Sequence, residues 1–243
     1  MLPNFLHVGA AKSASTWLLS AWLEHPSIYT PPGVSNIDFF HSTYYKGLEW
    51  YEKTYFSGWS GERAVGHKGN AYMISDLALE RIERDLPGVK LQMILRNPIE
   101  RTFLQWAHTK TWHTVPLEDP LRGTGGWVKF RMWYEQGLYA QHLKRVFRLF
   151  PEERVRVMFY DDLVEDPESF MRGQFEWLGV DADFKPTTLH QLVGFPGPER
   201  RDTADGDIEK GMPEDTREEL RLLFREDIDQ LQEMTGRELG HWR

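Results

Sequence analysis

Residues 4–17 read NFLHVGAAKSASTW, and this stretch decides the fold. The apolar run at 4–8 predicts a buried strand. Small residues follow at 9–14, and helical spacing of apolar residues continues from 16 to 24. A short loop between a strand and a helix lets backbone N–H groups converge on an anion at the positive end of the helix. The stretch therefore predicts a strand, an anion-binding loop and a helix.

The loop carries its own charge and hydroxyl donors. Lys12 supplies a cation, and hydroxyls come from Ser13, Ser15 and Thr16. The spacing differs from the nucleotide loop G-x-x-x-x-G-K-[ST], because the lysine follows Gly9 by three residues. The run KLQMIL at 90–95 leads into arginine rather than an acidic residue that could hold Mg²⁺. We therefore expect protein cations to neutralise the ligand, with no metal; a tight turn with an incidental lysine is the alternative.

Strands and helices alternate along the rest of the chain. This alternation predicts an α/β fold with a central parallel sheet flanked by helices and a P-loop-like strand–loop–helix. We expect a single domain over residues 1–243. Further strands are predicted at 64–66, 90–95 and 155–160, helices at 76–86, 98–111, 137–150, 166–178 and 213–235, and loops at 116–126 and 194–211.

Composition excludes several classes of function. The 243 residues contain no cysteine, which removes disulfides, thiolate catalysis and cysteine-ligated zinc. The net charge of −8 argues against a nucleic-acid partner, which needs a broad cationic surface. No apolar run reaches 18 residues, so we expect no membrane insertion. The first residues lack the pattern of a secretory leader, and we expect a cytoplasmic protein.

Four segments in order resemble the sulfotransferase family that uses 3′-phosphoadenosine 5′-phosphosulfate (PAPS). They are GAAKSASTW at 9–17, HPSIYTPP at 25–32 with DFF at 38–40, LRNPIERTF at 95–103, and the end of the chain from MPEDTREEL to LQEMTGRELGHW. The closing segment is similar to carbohydrate-type members. The phrase YKGLEWYEKTYF at 45–56 and His108 resemble the heparan N-sulfotransferase branch in particular.

The resemblance implies roles for individual residues. Lys12 would contact the bridging oxygen and the sulfonate, and Trp17 would stack on adenine. Arg96 would pair with the 3′-phosphate, over which Arg200 and Arg201 would close. The remaining implied contacts, to the 5′-phosphate, come from the loop residues Gly9, Ser13, Ala14, Ser15 and Thr16.

The sequence also departs from the family pattern. Leu104 stands where the family has a serine for the 3′-phosphate. Ser35 and Asn36 match a position that often holds the glutamate base, and neither accepts a proton at neutral pH. Proton abstraction needs another base near the sulfonate. The candidates are Asp38, His41, His67 and His108, and an amine acceptor would weaken the requirement for any of them.

The resemblance implies a sulfotransferase that moves a sulfonate from PAPS to a hydroxyl or amine of a glycan or small metabolite. Adenosine 3′,5′-bisphosphate (PAP) would be released. A small-molecule P-loop kinase and a non-catalytic nucleotide-binding module are the alternatives. Aromatic and basic side chains can line the acceptor cleft, since sugars stack on rings; the candidates are Lys68, Tyr72, Trp106, Trp112, Trp133, Tyr134 and Tyr139.

Overall fold

The computed structural model describes residues 1–110, 133–190 and 211–243. Five strands form one sheet in the order β2-β3-β1-β4-β5, and every strand pair is parallel. Helices flank this sheet. The predicted α/β class with a central parallel sheet is confirmed.

The strands and helices alternate much as the sequence predicts. The strands are β1 (Phe5–Gly9), β2 (Ile28–Tyr29), β3 (Ala64–Lys68), β4 (Lys90–Leu95) and β5 (Val155–Phe159). The helices described are α1 (Ser15–Glu24), α2 (Leu48–Tyr55), α3 (Asp76–Asp85), α4 (Pro98–Lys110), α5 (Tyr139–Leu149), α6 (Tyr160–Glu165), α7 (Pro167–Leu178) and α8 (Glu214–Thr235).

Local signals set the ends of several helices. The Ser75 hydroxyl accepts a hydrogen bond from the Ala78 amide and so caps α3. Asp166 caps α7 in the same way, through the Ser169 amide, and a proline occupies the first turn. Gly179 ends α7 in the left-handed conformation, which glycine adopts without steric penalty. Between these ends α7 packs in a buried core that it shares with α1.

Among the strands and α-helices of the described residues, three are absent from the sequence predictions. Strand β2 has two residues and carries too little pattern to be recognised, and α2 and α6 are short. Strand β3 also extends two residues beyond the predicted 64–66, to Lys68. That extension matters for function because it places Lys68 inside the sheet.

The chain divides into two compact units. The first comprises Met1–Leu95 and Arg145–Pro196, and the second comprises Arg96–Lys144 and Gly197–Arg243. The single domain over 1–243 stays a prediction, and each unit is described by itself. The predicted loop at 116–126 and residues 194–210 of the predicted loop at 194–211 lie outside the described residues.

The second unit contains a long-range cap. Asp227 on α8 accepts hydrogen bonds from the amides of Ala140 (3.0 Å) and Gln141 (3.3 Å) at the start of α5. The carboxylate thus satisfies amides that the first turn of a helix leaves unpaired. Burial raises the pKa of Asp227 to about 6, and the amide hydrogen bonds oppose that rise.

Candidate active site

The loop between β1 and α1 has an unusual backbone for its residue types. Lys12 and Ala14 both have positive φ, of 69° and 62°. The left-handed region disfavours any residue with a Cβ by about 1–2 kcal/mol. Strain of this kind concentrates at turns that bind ligands. The loop therefore has the geometry of a ligand-binding turn, as its sequence predicts.

The start of α1 presents hydrogen-bond donors. Its N-cap residue, Ala14, has no side-chain oxygen to accept from the first-turn amides, and no acidic residue lies in that turn. Ser13 is fully buried, and among the described residues its Oγ has no hydrogen-bond partner. A buried hydroxyl without a partner is costly unless a ligand engages it. Amides and hydroxyl together suit a phosphate or sulfonate oxygen.

A second cation lies beside this helix start. The Nζ atom of Lys68 donates a hydrogen bond to Thr16 Oγ1 over 3.1 Å. Lys68 is 3% exposed, and burial lowers its pKa to about 8. The sequence predicts Lys68 only as a residue lining the acceptor cleft. The available signal is a lysine two residues after the predicted strand 64–66, since a lysine is rarely fully buried unless it is paired.

The segment 36–40 is fastened to the end of β3. The Ile37 amide donates to the Lys68 carbonyl over 2.9 Å. The Tyr72 hydroxyl donates to the Ile37 carbonyl over 2.5 Å. Asn36 is held as well, because its Oδ1 accepts from the Asn70 amide over 3.0 Å. These bonds place the segment that corresponds to the family's base beside the backbone of Lys68.

Asp38 is the carboxylate of that segment. Its Oδ1 is buried and has no hydrogen-bond partner among the described residues. Burial raises the pKa of Tyr72, and the charge of Asp38 adds to that rise. A buried carboxylate oxygen without a partner is free to accept a hydrogen bond. Its role as base stays a prediction.

His67 points to the other face of β3 from Lys68, since side chains alternate along a strand. Its Nε2 lies 2.6 Å from the Tyr51 hydroxyl. The rings of Tyr51, Phe56 and Tyr72 surround it. Burial lowers the pKa of His67 to about 4. The base role for His67 stays a prediction, and the packing around its ring is that of a core histidine.

Trp17 is a residue of α1, and its side chain packs in the core. Its indole Nε1 donates to the Thr188 carbonyl over 2.9 Å, and its ring meets Phe170 edge-on at 6.4 Å between centroids. Only 6% of the residue is exposed. Stacking of Trp17 on adenine stays a prediction, and these contacts show a structural use of the same side chain.

Arg96 begins the second unit directly after β4. It is 2% exposed, and its Nε lies 3.7 Å from Glu100 Oε2. Leu104, which lies on α4 with Glu100, is buried. The side chain of His108 and both Arg200 and Arg201 lie outside the described residues. The predicted 3′-phosphate contacts of Arg96, Arg200 and Arg201, and the role of His108, stay predictions.

The chain matches a known protein family. The family model for the sulfotransferase domain matches residues 2–194. The solved structure of a sulfotransferase from Alicyclobacillus acidocaldarius has a TM-score of 0.82, with 28% identity over 100% of this chain and 99% of that one. Heparan sulfate glucosamine 3-O-sulfotransferase 3B1 of Mus musculus is 25% identical over 98% of this chain and 65% of its own length. The heparan-type resemblance is confirmed at this level.

The comparisons correct one prediction. The expected cytoplasmic location is wrong, because the relatives include heparan sulfate enzymes and a membrane-associated sulfotransferase of Dictyostelium discoideum. The latter is 30% identical over 49% of this chain and 26% of its own length. The lack of cysteine removes disulfides but does not indicate a compartment. Within the described residues, no helix combines the length and apolar character needed to cross a bilayer.

Proposed function

We propose, because the chain belongs to the sulfotransferase domain family, that it transfers a sulfonate group from PAPS to a hydroxyl group of a glycan. The observation that carries this proposal is the start of α1, where the N-cap residue offers no side-chain acceptor to the first-turn amides, the Ser13 hydroxyl has no partner among the described residues, and Lys68 donates to Thr16. The same chain segment contains Lys12. Two lysines and a helix start suit a dianionic phosphosulfate better than a neutral ligand.

The residues of the loop fit the donor. The first-turn amides of α1 and the Ser13 hydroxyl would hold the 5′-phosphate. Lys12 would stabilise the negative charge that moves onto the bridging oxygen. Lys68 would serve the sulfonate as a second cation, since a bound anion favours its charged form. These assignments need no metal to neutralise the ligand.

Asp38 is the residue we propose as proton acceptor. Transfer forms a bond between the acceptor oxygen and sulfur, and breaks the bond between sulfur and the bridging oxygen of the donor. The proton of the acceptor hydroxyl must leave as the new bond forms. Asp38 would accept it, because its Oδ1 has no hydrogen-bond partner in the described part of the chain and its segment is bonded to the Lys68 carbonyl. The products are a sulfate ester and PAP, with one proton released.

The glycan acceptor is supported by the relatives and by an aromatic surface. Heparan sulfate is the substrate named for the mouse relative. In this chain Tyr45 is 81% exposed, and Lys46 Nζ lies 4.1 Å from the ring centroid of Trp50. Sugars stack on such rings, and an exposed lysine attracts an anionic glycan. The kinase alternative has no comparable support.

Ligand binding and transfer test the proposal. At a free concentration a hundred times its Kd, PAP should raise the free energy of unfolding by about 2.7 kcal/mol and so raise the melting temperature. AMP should stabilise the protein far less. Labelled PAPS should then transfer sulfonate to heparan-type oligosaccharides in preference to simple phenols. Lys12→Ala should weaken both effects, and Lys53→Ala, at an exposed position, is the matched control. Stabilisation by ATP with Mg²⁺ equal to that by PAP would overturn the proposal.

A further inference from the structure

Four polar side chains form a row across one face of the sheet. Register pairs His7 on β1 with Lys68 on β3 and with Gln92 on β4. Gln92 in turn pairs with Arg156 on β5. Side chains at registered positions of parallel strands share a face of the sheet. Strands buried on both faces are ordinarily near-continuous apolar runs, so a polar row here requires an explanation.

Two helices cover this row. On α1, the ring of Trp22 lies 6.3 Å from the ring of His7, edge to face. On α7, Gln174 Nε2 donates to Gln92 Oε1 over 3.1 Å. His7, Gln92, Gln174 and Trp22 are all 0% exposed. The row is therefore enclosed by α1 at its Lys68 end and by α7 at Gln92.

Several polar atoms around the row have no hydrogen-bond partner within the described ranges. They are both ring nitrogens of His7, Gln92 Nε2, Gln174 Oε1 and Trp22 Nε1. Each unsatisfied buried group costs about 1–3 kcal/mol, and apolar side chains of similar size would avoid that cost. The group contains donors and acceptors close together, which is the environment that retains a buried water molecule with two to four partners.

We propose that His7, Gln92, Gln174 and Trp22 bind ordered water between the sheet and helices α1 and α7, and that His7 is a positioning residue that keeps Lys68 charged and directed at the donor. This inference rests on the proposed function, which gives Lys68 its role. It adds an internal hydration site and a residue that touches neither donor nor acceptor.

The charges around His7 agree with this role. Burial, and secondarily the charge of Lys68, lower the pKa of His7 to about 3. The imidazole is therefore neutral and can accept a hydrogen bond from the ammonium or from water. Lys68 faces His7 from β3, and the neighbours from β4 and α1 are the uncharged Gln92 and Trp22. Lys68 itself faces Thr16 on α1 and His7 on β1, with Asp38 in the segment fastened to its carbonyl.

The far end of the row holds two further charges. Arg156 is half-buried, and Glu176 on α7 is the charge that interacts with it. A Cβ built on Gly173 would lie 2.9 Å from Arg156 Nη2, so the guanidinium crosses α7 where the side chain is smallest. Gln92 separates this pair from His7 in the row. We therefore expect Arg156 to have a smaller effect on Lys68 than His7 has.

Titration of Lys68 tests the proposal without any transfer reaction. The Nζ resonance of Lys68 is followed by ¹⁵N NMR in the free protein. His7→Leu replaces the imidazole by an apolar side chain, and the pKa of Lys68 should fall by about one unit, because desolvation disfavours the ammonium. Ile94→Val, a buried change outside the row, should leave it unchanged. An unchanged Lys68 titration in His7→Leu would overturn the positioning role.

Two further readouts keep the test decisive. In the unmodified protein, the Trp22 Nε1 proton should show cross-relaxation with a long-lived water, and its absence would overturn the hydration site even if His7→Leu fails to fold. With PAPS and acceptor, turnover should decline at alkaline pH as Lys68 loses its charge. In His7→Leu this decline should move to lower pH, whereas His7→Gln should keep the pH dependence of the parent. A protein that passes the titration and water tests but transfers no sulfonate would overturn the proposed function alone.

Discussion

Lys68 at the end of β3 donates a hydrogen bond to Thr16 in the first turn of α1, over 3.1 Å from Nζ to Oγ1. This bond brings a buried cation to the helix start that already carries the loop amides and Ser13. The two halves come from chain segments about fifty residues apart. The parallel register of β1 and β3 is what brings them together.

Lys68→Met should lower activity and raise stability. Loss of one placed cation typically reduces turnover by on the order of 10²–10³. Burial lowers the pKa of Lys68 from 10.5 to about 8, so the ammonium, which is still the major form at pH 7, is less favourable in the folded protein than in the unfolded chain. Removing that charge should raise the free energy of unfolding by on the order of 1–3 kcal/mol. Initial rates with PAPS and denaturant unfolding at pH 7 measure the two effects.

The exposed Lys53→Met is the matched control for this change, since Lys53 lies 3.9 Å from Glu49 in an i,i+4 pair on α2. Such a pair contributes about 0.3–0.5 kcal/mol, and its loss should leave turnover unchanged. Equal activity in Lys68→Met and Lys53→Met would remove Lys68 from the transfer step.

Asp38→Asn should abolish proton acceptance while leaving donor binding intact. We expect turnover on a hydroxyl acceptor to fall by roughly 10²–10⁴, because a general base contributes that factor. The Kd for PAP, measured by calorimetry, should stay within a few-fold of the parent value. Asp183→Asn, at an exposed ion pair with Arg172, controls for a lost surface carboxylate. Normal turnover in Asp38→Asn, with a large loss in His67→Gln, would assign the base to the histidine instead.

The strand–loop–helix and the parallel sheet could be predicted from the sequence because their signals are local. The apolar runs, the small-residue loop and Pro98 after Arg96 each have a direct structural meaning. Which of the neighbouring residues His67 and Lys68 reaches the start of α1 could not be predicted in that way. It depends on which face of β3 meets α1, and adjacent residues of a strand point to opposite faces. Register with β1, which is a tertiary property, decides it.

Trp17 shows the same limit from another side. Its position in the sequence motif predicts an adenine contact, but nothing in the motif indicates the Thr188 carbonyl that its indole meets 171 residues later. The polar row across the sheet could not be predicted from the sequence either. His7 and Gln92 stand in separate apolar runs, and only strand order makes them neighbours.

Ala14→Gly should stabilise the protein slightly. Ala14 has φ of 62°, a conformation that glycine adopts freely and alanine does not. Relief of that strain outweighs the greater flexibility of glycine in the unfolded chain, so we expect a gain of up to about 1 kcal/mol. Ala21→Gly, inside the same helix, should instead lose about 1 kcal/mol or more. Thermal unfolding compares the two, and equal losses would show that the loop does not hold Ala14 in the left-handed region.

Acid should destabilise the fold through its buried histidines. Burial lowers the pKa of His67 from 6.5 to about 4. Between these values the unfolded chain binds a proton that the folded chain does not, so this contribution to stability is present above pH 6.5 and is lost as pH falls toward 4. The full loss is about 3 kcal/mol. His7 acts in the same direction over this range, while the raised pKa of Asp227 acts in the opposite direction below pH 6.

The difference between a variant and its parent isolates the His67 contribution from these other groups. His67→Gln keeps an amide within reach of the Tyr51 hydroxyl and removes the titration. The dependence of unfolding free energy on pH between 4 and 6.5 should then be less steep than in the parent by about one bound proton. Parallel pH curves for His67→Gln and the parent would mean that His67 is as readily protonated in the folded protein as in the unfolded chain.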